Sequence, residues 1–182
     1  YDSNVGIYNA AYTKIENTDN YDRIYQSDKC GWVGQLGYNK DSIYGANVFT
    51  AEGNETLKAA SFYATGKDSQ YELYVVRQFE DETSLEKMIP VASGKLGNAG
   101  YYTVDFNQGI EVDAGERYAV VLYIITPGSV HPMAIEYAAD EATENVDLDD
   151  GESYISANGS KWVSVDTVEK SNLCIKAFSD NR

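Results

Sequence analysis

The sequence has few of the residues on which catalytic and redox sites usually depend. Its 182 residues include one histidine, two cysteines and three prolines. Lysine and arginine are also scarce, with 14 against 29 aspartates and glutamates, which leaves a formal net charge of −15. A field of this sign repels phosphate groups and anionic lipids, so nucleic acid and membrane surfaces are poor partners. No apolar run reaches the roughly 20 residues of a membrane-spanning helix, which argues against membrane insertion.

The scarcity of histidine and cysteine bears directly on catalysis. A cysteine peptidase needs a thiolate next to an imidazole, and in principle Cys30 and His131 could meet. Papain-like nucleophiles lie in a CGSCW-like segment, whereas Cys30 lies in KCGWVG (29–34). We therefore predict no catalytic residues and no enzymatic activity in this chain. The spacing of Cys30 and Cys174 does not require a disulfide, and Cys174 is interpreted as a buried free thiol.

What the sequence does contain is period-two alternation of apolar and polar residues, which is typical of half-buried antiparallel strands. In YELYVVR (71–77), Glu72 and Tyr74 lie opposite an apolar face. YAVVLYII (118–125) is apolar throughout, which predicts a central strand covered on both faces. We predict an all-β fold, a two-sheet antiparallel β-sandwich of jelly-roll-like form that resembles carbohydrate-binding modules, with residues 1–182 as a single domain.

The segments between the predicted strands contain turn and loop signals. Asn158-Gly159, between SYISA and SKWVSV, predicts a two-residue hairpin turn. DETSLEKM (81–88) is the best helical candidate, although it is short and could equally be a loop. ADEATENVDLDDGE (139–152) predicts an acidic surface loop. Its aspartates in DLDDG could gather a loosely held calcium ion; these are Asp147, Asp149 and Asp150.

A family resemblance is carried by residues 20–65, which begin NYDRIYQSDKCGW and continue to YGANVFTAEGNETLKAASFYAT. It extends through AGYYTVDF (99–106), GERYAVVLYI (115–124), GESYIS (151–156) and NLCIKAF (172–178). This ordered set resembles the lectin-like domain that follows papain-type cysteine peptidase domains in secreted, cell-surface proteins of Gram-positive anaerobic bacteria. Because the chain opens on Tyr1 without a methionine, we expect it to be excised from a longer protein.

The resemblance implies a non-catalytic accessory domain of a secreted cysteine peptidase at the bacterial cell surface. The adjacent peptidase domain is then the expected partner, together with cell-wall or other glycans. Two alternatives remain open. One is a structural spacer that docks on the peptidase domain. The other, ranked lower, is a glycoside hydrolase, because no pair of acidic residues is placed by sequence at the separation such chemistry needs.

Sugar binding needs exposed flat aromatic faces beside planar polar groups. The densest supply of both is in residues 20–44. The candidate carbohydrate-binding residues are Trp32, Tyr38, Tyr44, Tyr25 and Gln26. The alternative for any one of them is that its ring pins a loop onto the sandwich, because Tyr and Trp are usually mostly buried.

A structural calcium ion is the one cofactor that we expect, because the carboxylate surplus supplies ligands and the lectin-like domain it resembles is thought to hold one. The candidate ligands are Asp22, Asp28, Glu55 and Glu136. A carboxylate in an apolar strand is costly unless it is paired or binds a metal. The alternative is therefore an ion pair, with Lys58 or Lys176 as the cation.

Overall fold

The computed structural model describes residue 17, residues 19–149 and residues 151–182. In this part of the chain, thirteen strands alternate with turns and very little helix. A 3₁₀ helix covers Glu82–Glu86, and a one-turn α-helix, α1, covers Val165–Val168. The strands are β1 (Arg23–Tyr25), β2 (Gly34–Leu36), β3 (Ser42–Thr50), β4 (Glu55–Ala64), β5 (Ser69–Val76), β6 (Ile89–Leu96), β7 (Gly100–Val112), β8 (Arg117–Ile125), β9 (Met133–Glu136), β10 (Glu152–Ser156), β11 (Val163–Ser164), β12 (Asn172–Leu173) and β13 (Ile175–Asn181).

The strands form two large sheets and one small one. The six-stranded sheet has the order β11-β10-β3-β8-β5-β6, and the four-stranded sheet has the order β1-β13-β4-β7. A three-stranded sheet, β12-β9-β2, was not predicted from the sequence. Every pairing is antiparallel. The predicted all-β antiparallel sandwich is therefore confirmed.

The main core lies between the two large sheets, because alternation turns one side chain in two toward the interior. Leu73 of β5 and Leu122 of β8 come from the six-stranded sheet, and Phe62 of β4 and Ile175 of β13 come from the four-stranded sheet. All four are buried in one apolar cluster. Burial of a side chain of this size stabilises the fold by about 1.5–3 kcal/mol.

A second, smaller core lies on the opposite, outer face of the six-stranded sheet. Ala119 and Val121 of β8 face it, and the segment after β5 covers them with Phe79 and Leu85. Strand β8 is therefore buried on both faces, as its uninterrupted apolar run predicts. The helical candidate at residues 81–88 forms the 3₁₀ helix, whose role is to bring Leu85 into this second core.

The hairpin between β10 and β11 differs from its prediction. Ile155 pairs with Val163, so residues 157–162 form a longer loop than the expected two-residue turn. Gly159 has φ +74°, and a Cβ there would lie 3.1 Å from the ring of Tyr44. Trp162 also packs onto the sheet beside Tyr44. The wider loop therefore folds back over the sheet, which a two-residue turn could not do. None of the helical segments in the described ranges is long and apolar enough to span a membrane.

Candidate functional site

The predicted sugar-binding aromatics do not form one site. Tyr25 is buried in the core, where its ring lies 5.9 Å from that of Phe49 and 5.8 Å from that of Tyr118. Tyr38 is half-buried against the same core. Gln26, by contrast, is exposed. The assignment of these residues to sugar binding stays a prediction, but the ring of Tyr25 serves the fold.

Trp32 belongs to an aromatic strip at the four-stranded sheet. Its side chain is 36% exposed, and its ring lies 5.7 Å from that of Tyr63. Tyr63 in turn lies 5.0 Å from Tyr101, which is 45% exposed. Tyr101 donates a hydrogen bond of 2.6 Å to Ser61 on the adjacent strand. We call Trp32, Tyr63 and Tyr101 the Trp32 strip.

Tyr44 lies on the other sheet, in a second aromatic group that sequence reasoning largely missed. Its ring stacks on that of Tyr123 at 4.2 Å with an interplanar angle of 20°. The indole of Trp162 meets Tyr44 edge-on at 6.2 Å. Burial raises the pKa of Tyr44, as do its neighbours Tyr123 and Glu72. The fold therefore brings together Tyr44, Glu72, Tyr123 and Trp162, which are far apart in the sequence.

Glu72 and Tyr74 complete this group. The hydroxyl of Tyr74 donates a short hydrogen bond to Glu72, which orients the carboxylate. The pKa of Tyr74 is raised by burial, then by this hydrogen bond and by the charge of Glu72. The alternation in YELYVVR was the available signal, because it places Glu72 and Tyr74 together on the face opposite the core.

Glu55 lies in a cluster of hydrogen-bond donors. An extra residue in β4, Lys58, shifts the register with β13 and turns Glu55 toward the interior, where Ser179 also lies. The carboxylate, 0% exposed, accepts hydrogen bonds from Ser179 at 2.6 Å and from Tyr25 at 2.7 Å. Its other partners are the amide of Gly53 at 2.8 Å and the guanidinium of Arg23 at 3.1 Å. Although burial opposes ionisation, these partners lower the pKa of Glu55.

Glu136 has fewer hydrogen-bond donors than Glu55, and one of them is shared with other oxygen atoms. It is 0% exposed, and it pairs across β9 and β12 with Asn172. The Asn172 side-chain nitrogen lies 3.0 Å from Glu136 Oε1, 3.2 Å from the Ser27 carbonyl and 2.9 Å from the Asp147 carbonyl. An amide nitrogen carries only two hydrogens, so three oxygens converge on a group that can satisfy two. The backbone amide of Cys30 makes a short hydrogen bond to the other Glu136 oxygen.

The surroundings of Glu136 are closely packed and negative. A Cβ at Gly151 would lie 2.8 Å from the side-chain oxygen of Asn172, so the acidic loop passes directly over this cluster. Asp150, part of the predicted acidic motif, lies outside the described residues. Oxygen atoms from a carboxylate, backbone carbonyls and an amide form the donor set that calcium prefers. These residues therefore fit a calcium ion. We call Glu136, Asn172 and the carbonyls of Ser27 and Asp147 the Glu136 cluster.

Asp28 is buried next to this cluster and forms an ion pair. Lys176 donates to its carboxylate at 2.6 Å and to its backbone carbonyl at 3.2 Å. Its Oδ1 is buried and has no hydrogen-bond partner among the described residues. Burial raises the pKa of Asp28, Lys176 opposes the shift, and the charge of Glu136 adds to it. Lys176, one of the two lysines considered as partners, thus pairs with Asp28.

The remaining metal candidate, Asp22, is exposed and accepts a 2.8 Å hydrogen bond from the amide of Asn181. Lys58 lies 3.9 Å from Asp180. Across the described ranges, no three His, Cys, Asp or Glu side chains are grouped closely enough to hold a metal ion on their own. A calcium site in this protein would therefore depend on backbone and amide oxygens.

The two thiols lack the features of a nucleophile. Both are free, with Cys30 exposed and Cys174 buried. Desolvation and the Glu136 carboxylate raise the pKa of Cys30, and burial and then the charge of Asp28 raise that of Cys174. Catalytic cysteines show the opposite shift. Cys30 lies beside Glu136. His131 precedes Glu136 by five residues, which is roughly 16 Å of extended chain, so His131 and Cys30 are not neighbours.

Comparisons with known proteins converge on one family. The family model described as Lectin like domain matches residues 24–179. The clostridial cysteine protease Cwp84, in a structure determined after propeptide cleavage, aligns with a TM-score of 0.73 and 24% identity over 88% of this chain and 40% of that chain. A crystal structure of the cysteine protease and lectin-like domains of Cwp84, a surface layer associated protein of Clostridium difficile, aligns with a TM-score of 0.67 and 20% identity over 88% of this chain and 36% of that one. The chain thus spans two fifths or less of these proteins, which share its fold. No curated protein gave a significant match.

Proposed function

This chain belongs to the lectin-like domain family, and we propose that it is a non-catalytic accessory domain of a secreted cysteine peptidase that binds cell-wall or other glycans. The observation that carries the proposal is that both large sheets display ordered aromatic rings outside the main core. Flat apolar rings stack against the C–H faces of sugars, and nearby amides, hydroxyls and carboxylates bind the sugar hydroxyls. Rings confined to the core could do neither.

The peptidase context rests on the family and on what the similar structures contain. Both are structures of a cysteine protease, and one holds protease and lectin-like domains of a surface layer associated protein. We propose that residues 1–182 form one domain of a longer secreted protein at the cell surface, with a peptidase domain as its neighbour. The raised pKa values of both thiols and the position of His131 support a chain without its own peptidase chemistry.

Calcium, in this proposal, is structural and is held by the Glu136 cluster. A cation there would satisfy the oxygens that Asn172 alone cannot, and it would offset the charges of Glu136 and Asp28. Glu55 is a weaker candidate because donors already surround its carboxylate. Asp22 is weaker because it is exposed. Calcium would tie the loop after Tyr25, the acidic loop and β12 together.

The proposal is tested by giving the purified chain both ligands and substrates. We expect it to bind members of a glycan array and to turn over neither peptide nor glycoside substrates. Turnover that is abolished by Cys30→Ala or His131→Ala would contradict the non-catalytic assignment. If no glycan binds, and the longer protein buries a large face of this domain against the peptidase domain, the spacer alternative is correct instead.

A further inference from the structure

We propose that the outer face of the six-stranded sheet binds an uncharged pyranose oligosaccharide, with Tyr123 as the stacking residue. The inference rests on the glycan binding proposed above and specifies its site and ligand class. Five side chains lie in register across this face, one from each of five adjacent strands. We call them the tyrosine row, and in spatial order they are Ser156, Tyr44, Tyr123, Glu72 and Ser93.

The row is open from Tyr123 to Ser93, whereas Ser156 is buried and the 157–162 loop folds over Tyr44. One residue pair further along the strands, Ala46 and Val121 are fully buried in the second core, which Phe79 and Leu85 help to cover. Tyr44 and Tyr123 are only half-buried. Because neighbouring strands are about 4.8 Å apart, the open part of the row, which spans three strands from Tyr123 to Ser93, is about 10 Å long. That length exceeds a single sugar ring, so it suits a short oligosaccharide.

Tyr44 fixes the ring of Tyr123 and leaves one face of it free. The two rings are stacked, so Tyr44 covers one face. Tyr123 also lines a cavity of ≈ 260 Å³ on the side toward β5 and β6, so the other face is the one available to a ligand. The indole of Trp162 packs edge-on against Tyr44 and supports it. A ring held in this way loses little conformational freedom when a ligand binds, which favours affinity.

The polar groups that a sugar needs surround the same cavity. Glu72, Ser93, Gln70 and Lys95 line it together with Tyr123. Glu72 also lines a second cavity of ≈ 300 Å³ beside it, and the hydroxyl of Tyr74 orients its carboxylate. The cavity therefore offers acceptors and donors next to a flat apolar face. This combination matches a ring that carries hydroxyl groups on its rim and C–H groups on its faces.

Charge selects the class of glycan. Glu72 lies next to Tyr123 in the tyrosine row, in a chain with a formal net charge of −15. Lys95 also lines the cavity, but an anionic sugar or a phosphate-bearing polymer would meet the Glu72 carboxylate at close range and within the negative field of the whole chain. An uncharged pyranose can instead donate hydroxyl hydrogens to Glu72. The ligand is therefore a neutral oligosaccharide.

The test is a titration of the purified chain, by calorimetry and two-dimensional NMR, with neutral hexasaccharides of glucose, mannose, xylose and N-acetylglucosamine. Oligogalacturonate is the anionic comparison. Tyr123→Ala is expected to weaken binding of a neutral hexasaccharide about tenfold or more, and Tyr123→Phe to retain it. Trp32→Ala and Tyr101→Ala test the Trp32 strip at the other sheet as the alternative site. If Tyr123→Ala unfolds, Tyr123→Leu removes the flat ring while keeping apolar bulk, and thermal unfolding verifies its fold.

Each result decides the question. A loss confined to the Tyr123 variants that lack a ring, with NMR shifts along the tyrosine row, supports the inference. Neutral oligosaccharide binding that is lost in Trp32→Ala or Tyr101→Ala but kept in Tyr123→Ala overturns the site and leaves the proposed glycan binding standing. Equal or tighter binding of oligogalacturonate overturns the ligand class. Failure of every oligosaccharide to bind overturns the tyrosine row as a binding site, and a negative glycan array in addition overturns the proposed glycan function.

Discussion

Two fully buried glutamates allow the calcium proposal to be tested with an internal control. Glu136 and Glu55 are both 0% exposed, and Gln is nearly isosteric with Glu. Glu136 lies beside the backbone carbonyls of Ser27 and Asp147, which converge on Asn172. Glu55 accepts hydrogen bonds from three groups and pairs with a guanidinium. We expect Glu136→Gln to abolish a calcium-dependent stabilisation that Glu55→Gln retains.

The magnitudes follow from linkage. A ligand that binds only the folded state stabilises it by about 2.7 kcal/mol when its concentration is a hundred times its dissociation constant. For a domain of this size, 1 kcal/mol corresponds to roughly 2–4 °C in Tm, so calcium should raise the Tm of the wild type by about 5–11 °C over chelator. Glu55→Gln should lower the Tm in both conditions, because loss of a buried charged acceptor costs about 3 kcal/mol. Its difference between calcium and chelator should remain that of the wild type.

The assay is thermal unfolding of the three proteins in calcium and in chelator, with elemental analysis of the bound metal. Identical midpoints for the wild type in both conditions, with no metal found, would remove the calcium proposal. A calcium increment that survives in Glu136→Gln and disappears in Glu55→Gln would move the site to the other glutamate. Either outcome would refute the reasoning that carbonyl-rich surroundings mark the metal site.

Three further predictions concern stability and thiol reactivity. Because Glu55 has a pKa below its usual value, its stabilising effect is present above about pH 4.3 and is lost as the pH falls through the lowered pKa. The difference in free energy of unfolding between wild type and Glu55→Gln, measured in urea, should therefore shrink from about pH 7 to about pH 3. A difference that stays constant would contradict this. The buried side chain of Asn47 donates hydrogen bonds to the carbonyls of Leu173 and Ile175 at 3.0 and 2.8 Å. Asn47→Ala should therefore lower the free energy of unfolding, measured in urea, by about 3 kcal/mol. A decrease below about 1 kcal/mol would show that the two carbonyls find other partners. Cys30 should react with a thiol reagent in the folded protein and Cys174 only after unfolding, since one is exposed and the other buried; equal rates for the two thiols would contradict their placement.

The sequence was sufficient to predict the sandwich because alternation reports burial directly. Strand β8 was recognisable as central from its apolar run alone, and Glu72 and Tyr74 were recognisable as residues of an outer face. The three-stranded sheet escaped prediction because its strands are only two to four residues long. Alternation needs at least a few residues to become visible.

The candidate sites were less predictable, because proximity in sequence was a poor guide to proximity in space. Tyr25 and Trp32 are close in the chain, yet one ring enters the core and the other lies in the Trp32 strip. Tyr44 and Tyr123 are distant in the chain, yet they are register partners in β3 and β8. Register depends on which strands pair, and this is a property of the whole sheet that no local motif reports.

The contrast between Glu55 and Glu136 shows what decides the chemistry of a buried carboxylate. Both lie at strand ends, Glu55 after a turn and Glu136 in an apolar run, and both were candidates for a metal ligand. At Glu55 the surrounding groups are N–H and O–H donors, whose positive ends satisfy the anion. Glu136 accepts hydrogen bonds only from the Cys30 amide and from Asn172, and Asn172 is shared with two backbone carbonyls. Asp28 adds a negative charge nearby, and Lys176 pairs with Asp28. A buried anion whose few donors are shared with other acceptors is stabilised when a cation joins it. The polarity of the neighbouring groups, which the fold alone determines, therefore favours Glu136 as the metal ligand and Glu55 as part of the core.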